Sequence, residues 1–195
     1  PGGSWMARYR PDGSLASAKH LITAGSLLGV DWADTDKWLL GFSGHAGTAL
    51  YGQPFNQPEK FGCLALVDTL GTITWSKVWP ALNGGTIGVV DVLKIGGHAI
   101  CHGSVGGAGV VMGDTIITGG EFVRVPFIAS HTLSGEPEWL VKLPNAYLHE
   151  VRRDLEGGLL VFGQFSDSLR IGSRIFQAIA EDATTFIARF DTLGN

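Results

Sequence analysis

The chain has 195 residues, of which 45% are hydrophobic, 16% are charged and 29 are glycine, and its formal net charge is −4. The net negative charge argues against a basic surface that would bind nucleic acid or anionic lipid, and no run of about 18 apolar residues is present to span a membrane. The glycine content is about twice the usual share of about 7% and indicates many tight turns.

Alternating apolar and polar residues, separated by turn residues, predict strands along the whole chain and no helix. The turn Arg10-Pro-Asp-Gly13 shows the pattern, with Pro fixing the second position and Gly accepting a positive φ at the fourth. In chain order the strands are expected at 5–10, 14–22, 27–31, 37–42, 48–51, 63–68, 73–79, 87–92, 98–103, 116–117, 127–132, 137–143, 147–152 and 159–165. A hairpin at 168–176, a polar link at 180–184 and a last strand from 186 follow.

One short motif occurs four times in altered form and is called here the signature. It has a bulky apolar residue or cysteine, an alanine two residues later, and a glycine six residues after that alanine. The alanines are Ala7, Ala65, Ala129 and Ala188, so the period is about 60 residues.

Further marks repeat with the signature. Gly41, Gly103 and Gly163 are interpreted as one repeated position. Trp75 and Trp139 each follow a signature glycine by four residues, where the first copy has Ser17 instead.

A period of this size predicts an all-β fold, a β-propeller built of four-stranded antiparallel blades. The chain is then a single repeat domain over 1–195, with a half-blade at 5–26 and three repeat units at 27–80, 81–144 and 145–195. An open β-solenoid stack is the alternative fold. Propellers close with roughly 4–8 blades, and the chain begins and ends at nearly the same phase of the repeat. We therefore expect part of a larger propeller, completed by other chains or by further blades of the same polypeptide.

The signature at 186–195, and its copies at 63–75 and 127–139 with a tryptophan after the glycine, resemble the SBBP-type beta-propeller repeats of about 60 residues. Such repeats occur in secreted and cell-surface bacterial proteins. The resemblance implies a secreted or cell-surface location, and export by type IX secretion is one route it suggests. The family has no fixed catalytic motif, so no functional residue is carried over.

Few residue clusters suggest chemistry. His98 and His102 are four residues apart on a predicted strand. Two residues at that spacing share a face but lie about 13 Å apart along the strand, which argues against a shared zinc ion. Asp31, Asp34 and Asp36 lack the spacing of a calcium loop and are expected in a solvated turn.

Other polar and glycine-rich stretches are also interpreted without a catalytic role. The glycine-rich segment 106–109 has no following Lys-Ser/Thr and is not a nucleotide loop. The polar stretch 149–154, from His149 and Glu150 to Arg152, Arg153 and Asp154, fits the surface of a strand.

The cysteines and most tryptophans are expected in the interior. Cys63 and Cys101 are interpreted as buried thiols, while a disulfide between neighbouring repeats stays open. Core packing is expected for the tryptophans that lie within apolar strands, which are Trp5, Trp38, Trp75 and Trp139.

The sequence thus predicts a non-catalytic extracellular scaffold or adhesin module whose partner is a protein or a cell-surface glycan. No catalytic, cofactor-binding or metal-binding residue is assigned, and no cofactor is expected. A lectin-like, carbohydrate-binding propeller is one alternative. A propeller-based hydrolase or lyase with its site outside this chain is the other.

Overall fold

The computed structural model describes residues 3–120, 123–179 and 183–195. These residues form strands and turns, and none of them lies in a helix, so the all-β prediction is confirmed. Within this part of the chain no helix has the length and apolar character needed to cross a membrane. Residues 180–182 of the predicted polar link lie outside the described residues.

Seventeen strands are present in the described residues. In chain order they are β1 (Gly3–Tyr9), β2 (Leu15–Asp34), β3 (Lys37–Leu50), β4 (Gln53–Pro54), β5 (Phe61–Asp68), β6 (Ile73–Pro80), β7 (Thr86–Ile95), β8 (His98–Gly106), β9 (Val110–Met112), β10 (Thr115–Ile117), β11 (Val125–Thr132), β12 (Pro137–Lys142), β13 (Ala146–Arg153), β14 (Leu159–Phe165), β15 (Ser168–Ile171), β16 (Arg174–Gln177) and β17 (Thr184–Phe190).

Among the described residues all strand pairings are antiparallel and produce three larger sheets and two small hairpins, none of them closed. The first sheet has the order β1-β2-β3-β5-β6, with the short β4 on β3. The second has the order β12-β11-β8-β7, and the third has β13-β14-β17. The hairpins β9-β10 and β15-β16 are inserted at corresponding places in the second and third sheets.

The long strand β2 replaces two strands that the sequence predicts separately. Its first half pairs with β1 and its second half with β3. The change of partner falls near Ala24, whose φ of 53° is rare for a residue with a side chain. The predicted half-blade is therefore continuous with the first sheet.

Three apolar clusters fill the spaces between successive layers, because alternate residues of each strand face opposite sides. The first interface joins the β1–β2 hairpin to β3, β5 and β6 through residues that include Leu21, Ile22, Leu40, Phe42 and Cys63. The second joins the first and second sheets through Leu39, Leu64, Trp79, Val92 and Phe127 among others. The third joins the second and third sheets through Ile100, Ile128, Val161 and Phe190 among others.

Strand register corrects one predicted equivalence. The signature alanines Ala65, Ala129 and Ala188 pair with Leu40, Cys101 and Val161, respectively. Gly103 and Gly163 each lie two residues beyond those partners, but Gly41 lies only one beyond Leu40. The prediction that Gly41 shares their position is wrong.

Phe42 occupies that position in the first sheet, and the size of its partner changes with it. Phe42 lies opposite Cys63, whereas Gly103 lies opposite Phe127. A Cβ atom on Gly103 would approach the Phe127 ring to 3.0 Å and the Gly88 carbonyl oxygen to 2.0 Å. The large side chain of this pair thus comes from β3 in the first sheet and from β11 in the second, and in both cases the space between layers is filled.

Candidate functional site

A repeated tryptophan contact joins each sheet to the next. The Trp75 Nε1–H donates to the Leu133 carbonyl over 2.8 Å, and the Trp139 Nε1–H donates to the Thr192 carbonyl over 2.8 Å. Both carbonyls lie in the turn that ends the signature. A Cβ atom on the signature glycine of that turn, Gly135 or Gly194, would lie 2.9 or 2.8 Å from the indole Cδ2, so only glycine lets the ring lie this close.

Register places Ser17 where the other two copies have tryptophan. Ser17 pairs with Arg8, and Trp75 pairs with Leu66, each partner being the residue after a signature alanine. Ser17 carries no ring, so the first interface lacks the indole that fills the other two.

Two other side chains take over the contacts of the missing indole. The Lys19 Nζ lies 3.4 Å from the Thr69 carbonyl, which is the counterpart of the Leu133 carbonyl. Gly71, the signature glycine of this turn, is covered by the Tyr51 ring, since a Cβ there would lie 2.8 Å from Tyr51 Cδ1. The turn is held, but the space beside Ser17 stays open.

That space is a cleft of about 700 Å³ within the first sheet, between the β1–β2 hairpin and the ends of β2, β3 and β5, and is named here the interface cleft. It is lined by Met6, Ala7, Arg8, Tyr9, Ser17, Lys19, Trp32, Thr35, Trp38, Thr69 and Leu70. Trp32 stacks on Trp38 with ring centroids 4.0 Å apart, yet it is 53% exposed. Leu70 is 81% exposed at the rim. Apolar surface of this kind in a concave position is typical of a binding site.

The charge of the cleft is opposite to that of the chain. Arg8 and Lys19 line it, and neither forms an ion pair with a carboxylate of the described residues. Asp68 begins the adjoining turn, but its Oδ1 accepts the amides of Leu70 and Thr72 over 2.9 and 2.7 Å. The cleft therefore combines an aromatic wall with two cations, which suits a flat apolar group carrying negative charge.

A buried polar atom lies in the wall of the cleft. The Trp38 Nε1–H is enclosed and has no acceptor among the described residues. Leaving such a donor unpaired costs free energy of about 1–3 kcal/mol.

The structure corrects the interpretation of Asp31 as part of a solvated turn. Asp31 lies in β2, and its Oδ2 accepts the backbone N–H of Lys94 in β7 over 2.7 Å. The same oxygen pairs with the guanidinium of Arg153 in β13. Asp31 thus links β2, β7 and β13 of three successive sheets, while Asp34 and Asp36 are exposed as expected.

His98 and His102 lie in different surroundings. His98 Nδ1 lies 2.7 Å from Glu138 Oε2, and the hydroxyl of buried Ser130 donates to the same oxygen over 2.7 Å. Burial of Glu138 raises its pKa, but the bonds from His98 and Ser130 outweigh it, so the pKa is lowered. Burial lowers the pKa of His102, against the opposing charge of Asp91.

His131 is a buried group that the sequence did not single out. Burial lowers its pKa to about 4, the charge of Lys77 acts in the same direction, and Glu138 opposes both. Its Nδ1 has no hydrogen-bond partner in the described residues. The imidazole is therefore neutral near pH 7 and packs 5.8 Å from the Trp79 ring.

The remaining polar stretch forms structural pairs. Arg152 pairs with Glu150, and Arg189 of β17 pairs with Asp154 and with Glu156, the latter over 2.7 Å. The Arg189 hydrogen bond and the Gly158 amide lower the pKa of Asp154. These pairs agree with the interpretation of the polar stretch 149–154 as the surface of a strand.

Both cysteines are free and buried, Cys63 in the first interface and Cys101 in the second. Burial raises the pKa of each thiol, so neither is a reactive thiolate. Trp38, Trp75 and Trp139 pack against the clusters as predicted. Trp5 does not, being 67% exposed and stacked on His20.

No family model and no curated protein matches this chain. The resemblance to SBBP-type repeats therefore stays a prediction.

Proposed function

We propose that the three larger sheets are blades of a β-propeller in a secreted or cell-surface protein, and that the protein is a non-catalytic scaffold or adhesin module. The antiparallel order within each sheet and the tryptophan contact between successive sheets support the propeller, since both repeat with the sequence period.

The observation that carries a binding function is the interface cleft. Its wall presents exposed aromatic and aliphatic surface with two cations. Among the described residues, the one side chain lining the cleft that forms a hydrogen bond is Lys19, to the Thr69 carbonyl, and no nucleophile–base pair is formed there. The arrangement supports recognition rather than bond cleavage.

Two strand edges support assembly into a larger ring. Among the described residues, β17 pairs only with β14 and β1 pairs only with β2. The corresponding strands β5 and β11 are paired on both sides. Other chains or further blades of the same polypeptide would cover these edges.

The test combines binding with turnover. The purified protein is passed over immobilised acidic and basic proteins and a panel of glycans, and is incubated with ester, glycoside and uronate-polysaccharide substrates. Saturable binding to a protein surface without turnover is expected. Turnover that follows the protein through purification would overturn the non-catalytic assignment.

Carbohydrate binding is the second candidate, and the exposure of Trp32 favours it because sugars stack on such rings. Saturable binding to one glycan class, with none to protein, would select this alternative.

A further inference from the structure

We infer that the interface cleft receives an aromatic side chain, with indole as the best fit, from an acidic segment of a partner protein. The inference rests on the proposed function as a protein-binding module and names the chemistry of the partner.

The repeat itself shows which group fits. At the second and third interfaces the corresponding space holds the indoles of Trp75 and Trp139, each donating to a turn carbonyl over 2.8 Å. At the first interface Ser17 brings no ring, the Tyr51 ring covers the signature glycine Gly71, and the interface cleft remains beside Ser17. A carbonyl in the same place, that of Thr69, has only the Lys19 amine at 3.4 Å. An indole from outside therefore finds an aromatic wall and an acceptor.

The size of the cleft indicates a ring together with its neighbours in sequence. At about 700 Å³ the cleft exceeds one side chain and lies within the range of about 300–1,000 Å³ for ligand pockets. Exposed Leu70 and Trp32 at its rim offer apolar contacts to residues on either side of the inserted ring.

The charges indicate acidic neighbours. Arg8 and Lys19 line the cleft without a carboxylate partner in the described part of the chain. Asp34, the last residue of β2, and Asp36, in the turn that follows, do not line the cleft. Carboxylates beside the inserted ring would meet two cations, whereas lysines would be repelled.

The probe is the capped tripeptide Asp-Trp-Asp made with fluorotryptophan and followed by fluorine NMR, so that the six tryptophans of the protein do not interfere. The competitors are unlabelled Asp-Trp-Asp, Asp-Ala-Asp, Lys-Trp-Lys and trigalacturonic acid. We expect the labelled signal to broaden with the wild-type protein. Unlabelled Asp-Trp-Asp should displace it about tenfold better than Asp-Ala-Asp or Lys-Trp-Lys, a factor that one or two good contacts supply.

Two pairs of variants locate the binding. Ser17→Trp fills the cleft and should abolish broadening, whereas Ala18→Trp adds the same ring on the opposite face of β2 and should leave it unchanged. Arg8→Glu and Lys19→Glu should each weaken binding about fivefold, because a repulsive charge replaces an attractive one. Circular dichroism confirms that each variant is folded.

Equal binding by Ser17→Trp and the wild type, or no broadening at all, would overturn the inference. Better displacement by trigalacturonic acid than by unlabelled Asp-Trp-Asp would also overturn it and assign the cleft to an acidic saccharide. If the peptides fail while the protein still binds protein surfaces without turnover, the cleft assignment falls and the proposed function stands. Turnover of any of the ester, glycoside or polysaccharide substrates would overturn the proposed non-catalytic function itself.

Discussion

Replacing Trp75 by serine would copy at the second interface the arrangement that Ser17 gives the first. The change removes a hydrogen bond of 2.8 Å to the Leu133 carbonyl and the ring that lies against Gly135. Trp75 is half-buried and packs against the second apolar cluster. Its loss therefore acts on both polar and apolar contacts between the first and second sheets.

The expected cost has two parts. The hydrogen bond contributes about 1 kcal/mol net. A half-buried ring contributes about 2 kcal/mol, roughly half the cost of truncating a fully buried aromatic side chain. The sum of about 3 kcal/mol corresponds to a fall in Tm of about 6–12 °C for a domain of this size.

Thermal unfolding followed by far-ultraviolet circular dichroism measures this loss, and two variants serve as references. Trp75→Phe keeps a ring but not the donor, so its fall in Tm should be about a third of that of Trp75→Ser. Trp5→Ser removes an indole that is 67% exposed and should change Tm by no more than a few degrees. If Trp75→Ser and Trp5→Ser lower Tm equally, the tryptophan contact does not hold the sheets together.

Three further predictions concern the interfaces. His131, whose pKa lies near 4 in the fold and near 6.5 when unfolded, contributes stability that is complete above about pH 6.5 and lost as the pH falls towards 4. Between pH 6.5 and pH 4 the free energy of unfolding, measured by urea titration, should therefore fall by up to about 3 kcal/mol more for the wild type than for His131→Phe. Equal falls in the two proteins would contradict this prediction. Gly103→Ala should prevent stable folding, since its methyl group would lie 2.0 Å from a backbone oxygen, whereas Gly97→Ala meets nothing and should leave Tm almost unchanged. Ala188→Glu should lower Tm more than Arg189→Glu, because Ala188 packs against the third cluster, whereas Arg189 is exposed and its loss breaks only its ion pairs with Asp154 and Glu156. Equal losses of Tm would show that the predicted inner face of β17 is wrong.

The strands were predictable because their signals are local. Alternation and turn residues fix a strand within a few positions, and the signature alanines mark the same register in every sheet. The continuity of β2 was not predictable, since Ala24 adopts a positive φ that its residue type does not suggest. Gly41 was assigned wrongly because spacing along the sequence cannot show which neighbour has taken over the volume of a missing side chain.

The site residues were harder to predict for the same reason. Asp31 binds Arg153, a partner 122 residues away, and only the stacking of three sheets brings the two together. The signal for the cleft was present as the absence of a tryptophan at Ser17. The space itself was not predictable, because it also depends on Lys19 and Tyr51, which no motif marks.

Lys19 and Tyr51 show that the first interface is more than a repeat copy that has lost its tryptophan. Had the tryptophan simply been lost, the Thr69 carbonyl and the face of Gly71 would both lie open. Trp75→Ser would leave the Leu133 carbonyl and the face of Gly135 open in the same way at the second interface. Instead Lys19 reaches the carbonyl at 3.4 Å and Tyr51 covers the glycine. Burial, and then the nearby charge of Asp68, raise the pKa of Tyr51, so the phenol stays neutral over this turn. The first interface thus keeps the turn held while it leaves room beside Ser17, which is where we propose that a partner binds.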